Sequence, residues 1–142
     1  DAILKYDYPE IRVSMTAEGA GETSSSLSVR WAFVVNLPRY AGGLKLVPGA
    51  TGTDGLLDLC AFRRGSLLQG LRYLTGVVFG KHQGWHDCVV LQTRGLRLES
   101  DRPVPYQLDG DPGGELPVEV EVVPGRLTVM VPRAWVDRPQ PG

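Results

Sequence analysis

From His86 to Val131 the chain is a succession of short runs, "HDCVVLQTR", "LRLES", "VPYQLD", "PVEVEVV" and "RLTVMV", with turn residues between them. Alternation of apolar and polar residues with a period of two turns one side of such a run to a core and the other to water. Strands this short are not stable singly, so they must pair. Pro124-Gly125 suits the central positions of a type II turn, and residues 117–131 are therefore expected to form a hairpin. Upstream, "IRVSMTA" sets Ile11, Val13, Met15 and Ala17 against Arg12, Ser14 and Thr16, again a strand with one buried face. "LSVRWAFVVN" reads as one longer strand, apolar on both faces near Phe33 to Val35 and so expected at a central position. "LLDLCAFRR" is the next strand.

A single helix interrupts the strands, "SLLQGLRYLTGVVFG". Ser66 can cap it, Gly80 can stop it, and Leu67, Leu71, Leu74 and Val78 recur at helical spacing as the expected inward stripe. Gly70 and Gly76 each weaken it by about 1 kcal/mol relative to alanine, so packing must hold it. The expected architecture is mainly β, an antiparallel β-sandwich or curled sheet with one covering helix, in a single domain over residues 1–142.

Composition narrows the functional classes. With 15 basic residues against 16 acidic ones, there is no electrostatic footprint for nucleic acid. The longest apolar run falls well short of the about 20 residues a membrane span requires. Cys60 and Cys88 lie in apolar runs, where a thiol behaves as a small buried hydrophobe, and no CxxC motif accompanies them. A reduced, cytoplasmic setting fits best, with pairing in an oxidising compartment left open. The chain begins at Asp1 without a methionine or a signal-type segment, and is expected to be a piece of a longer protein.

Several stretches are candidates for chemistry. "PGATGTDG" has no lysine and leads into a strand, which excludes a phosphate-binding loop of the Walker type. Asp54 in that turn either ligates a hard cation such as Mg²⁺ or Ca²⁺ or bonds its own backbone. His82 and His86 straddle Gly84 with no third ligand nearby, so a solvated or capping role is expected. "NLPRYAGG" places Asn36, Arg39 and Tyr40 beside Gly42 and Gly43, where backbone can approach a ligand or simply cross from strand to loop. Asp109-Gly110-Asp111 is a turn signal that also holds two carboxylates. A calcium loop of the EF-hand type is excluded, because its ligand pattern does not continue past Pro112.

The order of these pieces carries more than any one of them. "FVVNLPRYAGGLKLVPGATGTDGLLDL", a helix, "GKHQGW", "YQLDGDP" and "VEVVPGRLTVMVP" follow one another from Phe33 to Pro132. This resembles the C-terminal half of the diacylglycerol kinase and sphingosine kinase superfamily of lipid kinases. The resemblance implies an ATP-dependent transfer of phosphate to a lipid alcohol, diacylglycerol-like or sphingoid. It also implies a nucleotide-binding N-terminal half that this chain does not contain. By the same resemblance Asp111 is the general base, where the family usually has glutamate, and Asp109 fixes the turn. Mg²⁺ would be held by the Asp54 carboxylate with the carbonyls of Thr51 and Leu56, while Asn36, Arg39, Tyr40, Gly42 and Gly43 would support the substrate site. Lipid substrate, ATP and peripheral contact with a membrane are the implied partners, and self-association is left open. The competing readings are a non-catalytic β module that binds lipid or protein and a purely structural domain.

Overall fold

The structure is a computed structural model that describes residues 6–15, 26–39, 43–128 and 130. Among these the strands are β1 (Ile11–Met15), β2 (Ser26–Val29), β3 (Trp31–Val35), β4 (Leu57–Phe62), β5 (Cys88–Thr93), β6 (Gly95–Glu99), β7 (Pro105–Leu108), β8 (Asp111–Glu115) and β9 (Val118–Glu121). The helix α1 (Leu67–Val78) lies between β4 and β5, and a short 3-10 turn follows it over His82–Gly84. One antiparallel sheet has the order β2-β1-β6-β9, a second β3-β4-β5, and β7-β8 form a two-stranded ribbon.

β4 is buried at every position because it sits at the middle of three layers. Its Leu59 and Ala61 face the larger sheet, where Ile11, Val13, Val29, Leu96 and Leu98 complete a core. Its Cys60 and Phe62 point the other way, into a second core closed by Leu46, Val47, Ala50, Tyr73 and Val77. The Phe62 and Tyr73 rings stack at 4.0 Å between centroids. Full burial of side chains of this size contributes about 2 kcal/mol each, which is how so small a helix is held. Cys60 and Cys88 are both free thiols, and the Cys60 thiol is pushed up by its bond with Cys88 and by burial.

The fold corrects four expectations. The run 27–36 is two strands in different sheets, broken at Arg30. There the Arg30 N–H donates to the Phe62 carbonyl and its guanidinium to the Tyr8 carbonyl, each at 2.8 Å. A charged side chain with carbonyl partners at the crossing lets the chain step from one layer to the next. β3 is consequently an edge strand, half-buried throughout, and β4 takes the centre. The turn at Pro124-Gly125 forms, with Gly125 at φ 68° and the Arg126 N–H 3.4 Å from the Val123 carbonyl, but residues 126–128 are not a strand. β9 already pairs with β6, setting Val118 opposite Leu98 and Val120 opposite Leu96, while Leu127 is left exposed. β8, "DPGGE", is a strand despite its proline and two glycines. The Tyr106 ring covers those glycines, so closely that a Cβ on Gly113 would lie 2.3 Å from it.

The fourth correction concerns α1. Ser66 caps it through a 3.1 Å bond from the Gln69 N–H, and Gly80 follows at φ 66°, as expected. Yet the buried residues are Tyr73, Gly76 and Val77, whereas Leu71, Leu74 and Val78 are exposed. The glycines choose the face: a Cβ would come within 3.0 Å of the Trp31 ring at Gly70 and within 2.3 Å of the Trp85 ring at Gly76. Gly76→Ala is therefore expected to cost about 1–3 kcal/mol despite its better helix propensity, because the indole must move out of a packed site. Gly70→Ala, with more room, should come out near neutral. Denaturant midpoints of the two variants check the pair; equal stabilisation by both would refute the packing account.

Candidate functional site

Three segments hold the candidate residues. The first is the end of β3 and the loop after it. Asn36 and Arg39 are exposed, and Gly43 has φ 81°, with Arg39 Nη1 4.0 Å from where its Cβ would stand. Tyr40 and Gly42 lie outside the described residues. The second is the Asp54 turn. Asp54 Oδ1 accepts from the Leu56 N–H at 2.9 Å, Oδ2 from the Thr51 hydroxyl at 3.3 Å, and the Asp54 N–H reaches the Thr51 carbonyl at 3.4 Å. The structure brings these two segments together at Gly52, where a Cβ would be 3.0 Å from Leu37 and 3.2 Å from the Asn36 carbonyl.

The Asp54 turn thus bonds its own backbone, one of the two readings of its residues. Its donor set still suits a hard cation, since a carboxylate has about four lone-pair positions and two are occupied. Nearby Asp58 is buried in β4 and its Oδ2 has no hydrogen-bond partner. Burial pushes the Asp58 carboxyl up; a bond with Gln92 opposes this, and the negative charge of Asp54 adds to it. A divalent cation at Asp54 would offset that repulsion, so the residues present fit one. Among the described residues no cluster of three or more His, Cys, Asp or Glu side chains could hold a metal by itself, so backbone oxygens would have to supply the rest.

The third segment is the β7-β8 ribbon. Asp109 and Gly110 both have positive φ, 50° and 101°, the signature of a two-residue type I′ turn, in which aspartate and glycine are the favoured pair. Asp111 then opens β8 opposite Leu108, exposed to solvent. The turn is therefore made by Asp109 and Gly110, and Asp111 is not needed for it. Among the described residues no hydrogen bond or ion pair links either acid to the Asp54 turn. A cleft of about 470 Å³ lies elsewhere, against Val47, Asp58, Gln83, Val90 and Gln92, and Asp111 does not line it.

Two buried polar centres escaped the sequence reading. His82, expected to be solvated or to cap, is fully buried, and of the two it is the capping role that the geometry resembles: Nε2 lies 2.7 Å from the Leu46 carbonyl and Nδ1 3.4 Å from that of Gly76 in the last turn of α1, tying the loop before β4 to the end of the helix. His86 is exposed. Asp87 is buried and receives the Arg72 guanidinium at 2.7 and 3.3 Å and the Tyr73 hydroxyl at 3.0 Å, while Arg72 stacks over the Trp85 ring at 4.0 Å. Burial alone would raise the Asp87 carboxyl, but the bonds from Arg72 and Tyr73 and the Arg72 charge outweigh it and hold it below the usual carboxylate range. Tyr73 is pushed up to about 12, by burial and by its bond to Asp87. The only signal in the sequence was an arginine within the helix and an aspartate after it, without spacing that pairs them.

Comparison with known proteins bears on the family and the fold. The chain is 32% identical over 98 residues to a diacylglycerol kinase of Mycobacterium tuberculosis (strain ATCC 25618 / H37Rv), covering 69% of this chain and 31% of that protein. It is 26% identical over 102 residues to a diacylglycerol kinase of Bacillus subtilis (strain 168), covering 71% and 34%. The chain thus spans about a third of the length of the curated relatives it matches. A crystal structure of a diacylglycerol kinase from Bacillus anthracis str. Sterne superposes with a TM-score of 0.64 at 17% identity, over 89% of this chain and 42% of that one, a likeness of fold. Residues 2–131 match the family described as the YegS C-terminal NAD kinase beta sandwich-like domain, and the three-layer arrangement of two sheets and a helix is how this chain, a member of that family, builds it.

Proposed function

We propose that this chain is the lipid-facing part of an ATP-dependent kinase that phosphorylates the hydroxyl of a diacylglycerol-like or sphingoid lipid. The observation that carries the reading is the ribbon tip. A type I′ turn completed by Asp109 and Gly110 leaves Asp111 at the start of β8 with an exposed carboxylate that no structural bond requires. The 32% identical relative is named a diacylglycerol kinase, and the matched residues make up only 31% of it, which leaves room for a nucleotide-binding half beside this one. An acid at a seam between two halves is exposed in either half taken singly.

Phosphoryl transfer passes through a loose transition state, so the protein chiefly aligns the hydroxyl with the γ-phosphate and offsets charge. Asp111 orients the lipid hydroxyl and accepts its proton as the new P–O bond forms and the bond to the departing ADP breaks. Asp109 holds the turn. Asp54, with the carbonyls of Thr51 and Leu56, would hold Mg²⁺ and so brace the turn that leads into β4. The direct test incubates the full protein with labelled ATP, Mg²⁺ and mixed lipids; labelled phospholipid supports the reading. Lipid binding without transfer would overturn it in favour of a binding module, which the aspartate in place of the family's glutamate also permits.

The metal has its own readout. EDTA is expected to lower the thermal midpoint by about 5 °C or more, because a cation bound only by the native state stabilises it by mass action. Asp54→Ala should start from the lower midpoint and show no further response. An EDTA-insensitive wild type would remove the cation from the Asp54 turn.

A further inference from the structure

The structure assigns to α1 a second role, as the surface on which the protein docks to a bilayer containing anionic phospholipid; this deepens the lipid-kinase reading and rests on it for the purpose of the contact. Leu68 is 78% exposed, Phe79 70%, Val78 57%, Leu71 54% and Leu74 51%. At about 100° per residue these five positions fall within one arc of about 140°, opposite buried Tyr73, Gly76 and Val77. α1 carries apolar residues on both faces, its outer ridge is interrupted only by Thr75, and that ridge has no cover among the described residues. Water does not favour such a ridge on a helix about 18 Å long, and patches of this kind mark partners or membranes.

Charge decides between them. Residues 63–87 contain Arg63, Arg64, Arg72 and Lys81 against a single acid, the buried Asp87 that pairs with Arg72, leaving 11 basic against 15 acidic elsewhere. The Arg64 side chain is 59% exposed just before the helix, with its Nε 4.0 Å from the buried Asp87, and Lys81 is exposed just after it. Beside the ridge, a cleft of about 230 Å³ runs between Phe79 and the half-buried Trp85 and is bounded by Arg72 and Lys81. An apolar ridge with cations at both ends and an indole at its margin matches a layer that offers hydrocarbon beneath negative headgroups. A second copy of the chain fits poorly, since a two-fold contact through α1 would set basic ends against basic ends. No helix among the described residues is long and apolar enough to cross a membrane, so α1 would lie in the interface plane.

The test uses the full protein and flotation with vesicles of phosphatidylcholine, alone or mixed with phosphatidylglycerol. The wild type is expected to float with the mixed vesicles and to be released by salt. Combined Leu68→Ser, Leu71→Ser and Val78→Ser should lower the partition coefficient by about 100-fold, and Lys81→Glu by about fivefold or more on mixed vesicles alone, with unfolding midpoints unchanged. Both variants should phosphorylate a short-chain, monomerically dissolved diacylglycerol at the wild-type rate and lose activity on the vesicle-borne lipid. Wild-type-like partition of the triple variant overturns the proposal. So does unchanged partition with a lowered unfolding midpoint, which would assign the ridge to another part of the protein, or a change from dimer to monomer, which would assign it to a second copy. Intact vesicle binding by a wild type that phosphorylates neither substrate upholds the docking surface and refutes the kinase reading alone.

Discussion

Asp111→Asn is expected to lower the turnover of lipid phosphorylation by about 100- to 10,000-fold in the full protein, with the KM for lipid and for ATP changed little. The substitution is nearly isosteric at the first residue of β8, outside the turn made by Asp109 and Gly110, so the ribbon should keep its register. What it removes is the capacity to accept the hydroxyl proton. Asp111→Glu provides the complementary measurement. It restores the longer side chain usual in the resembled kinases, and turnover at or above the wild-type level would show that reach at this position matters. Single-turnover rates with radiolabelled ATP give both numbers, and an Asp111→Asn enzyme as fast as the wild type would remove Asp111 from the chemistry.

Asp87→Ala is expected to be among the most damaging single changes to stability, by about 2–4 kcal/mol, a cost moderated by solvent because the Arg72 side chain is 37% exposed. It strands the Arg72 guanidinium and the buried Tyr73 hydroxyl together, and it loosens Arg72 from the Trp85 face. The pH dependence follows from the direction of the shift. Asp87 lies below its unfolded value, so its contribution is fully present above the unfolded carboxylate pKa of about 3.9 and is lost as pH falls through the lower native value. Chemical denaturation between neutral pH and the acid limb should therefore show the wild type converging on Asp87→Asn at low pH. A constant gap across the whole range would mean that the charge of Asp87 is not what the centre uses.

The two faces of α1 show where pattern reading stops. Leu67, Leu71, Leu74 and Val78 form a regular stripe, and so do Gly70, Tyr73, Gly76 and Val77 on the opposite side. A hydrophobic period selects a face only when the other face is polar, and here neither is. The inward side was chosen by Trp31 and Trp85, large rings from β3 and from the segment after the helix, which need the gaps that two glycines leave. Nothing in the helix's own residues announces rings that arrive from so far along the chain.

The same division runs through the rest of the molecule. Legible in the residues alone were the positions of β1, β4, β5, β6, β7 and β9, both ends of α1, the turns at Asp109-Gly110 and Pro124-Gly125, and the succession of motifs that resembles a lipid kinase. Each depends on backbone angles, caps or alternation within a few consecutive residues, where local sterics and hydrogen bonding dominate. Only the tertiary structure decided that the chain changes sheet at Arg30, that β4 and not β3 lies at the centre, that "DPGGE" is a strand under Tyr106, and that His82 and Asp87 are buried with partners. Those outcomes turn on contacts between residues separated by about six to forty positions, whose free energy exists only once the layers have closed and water has left.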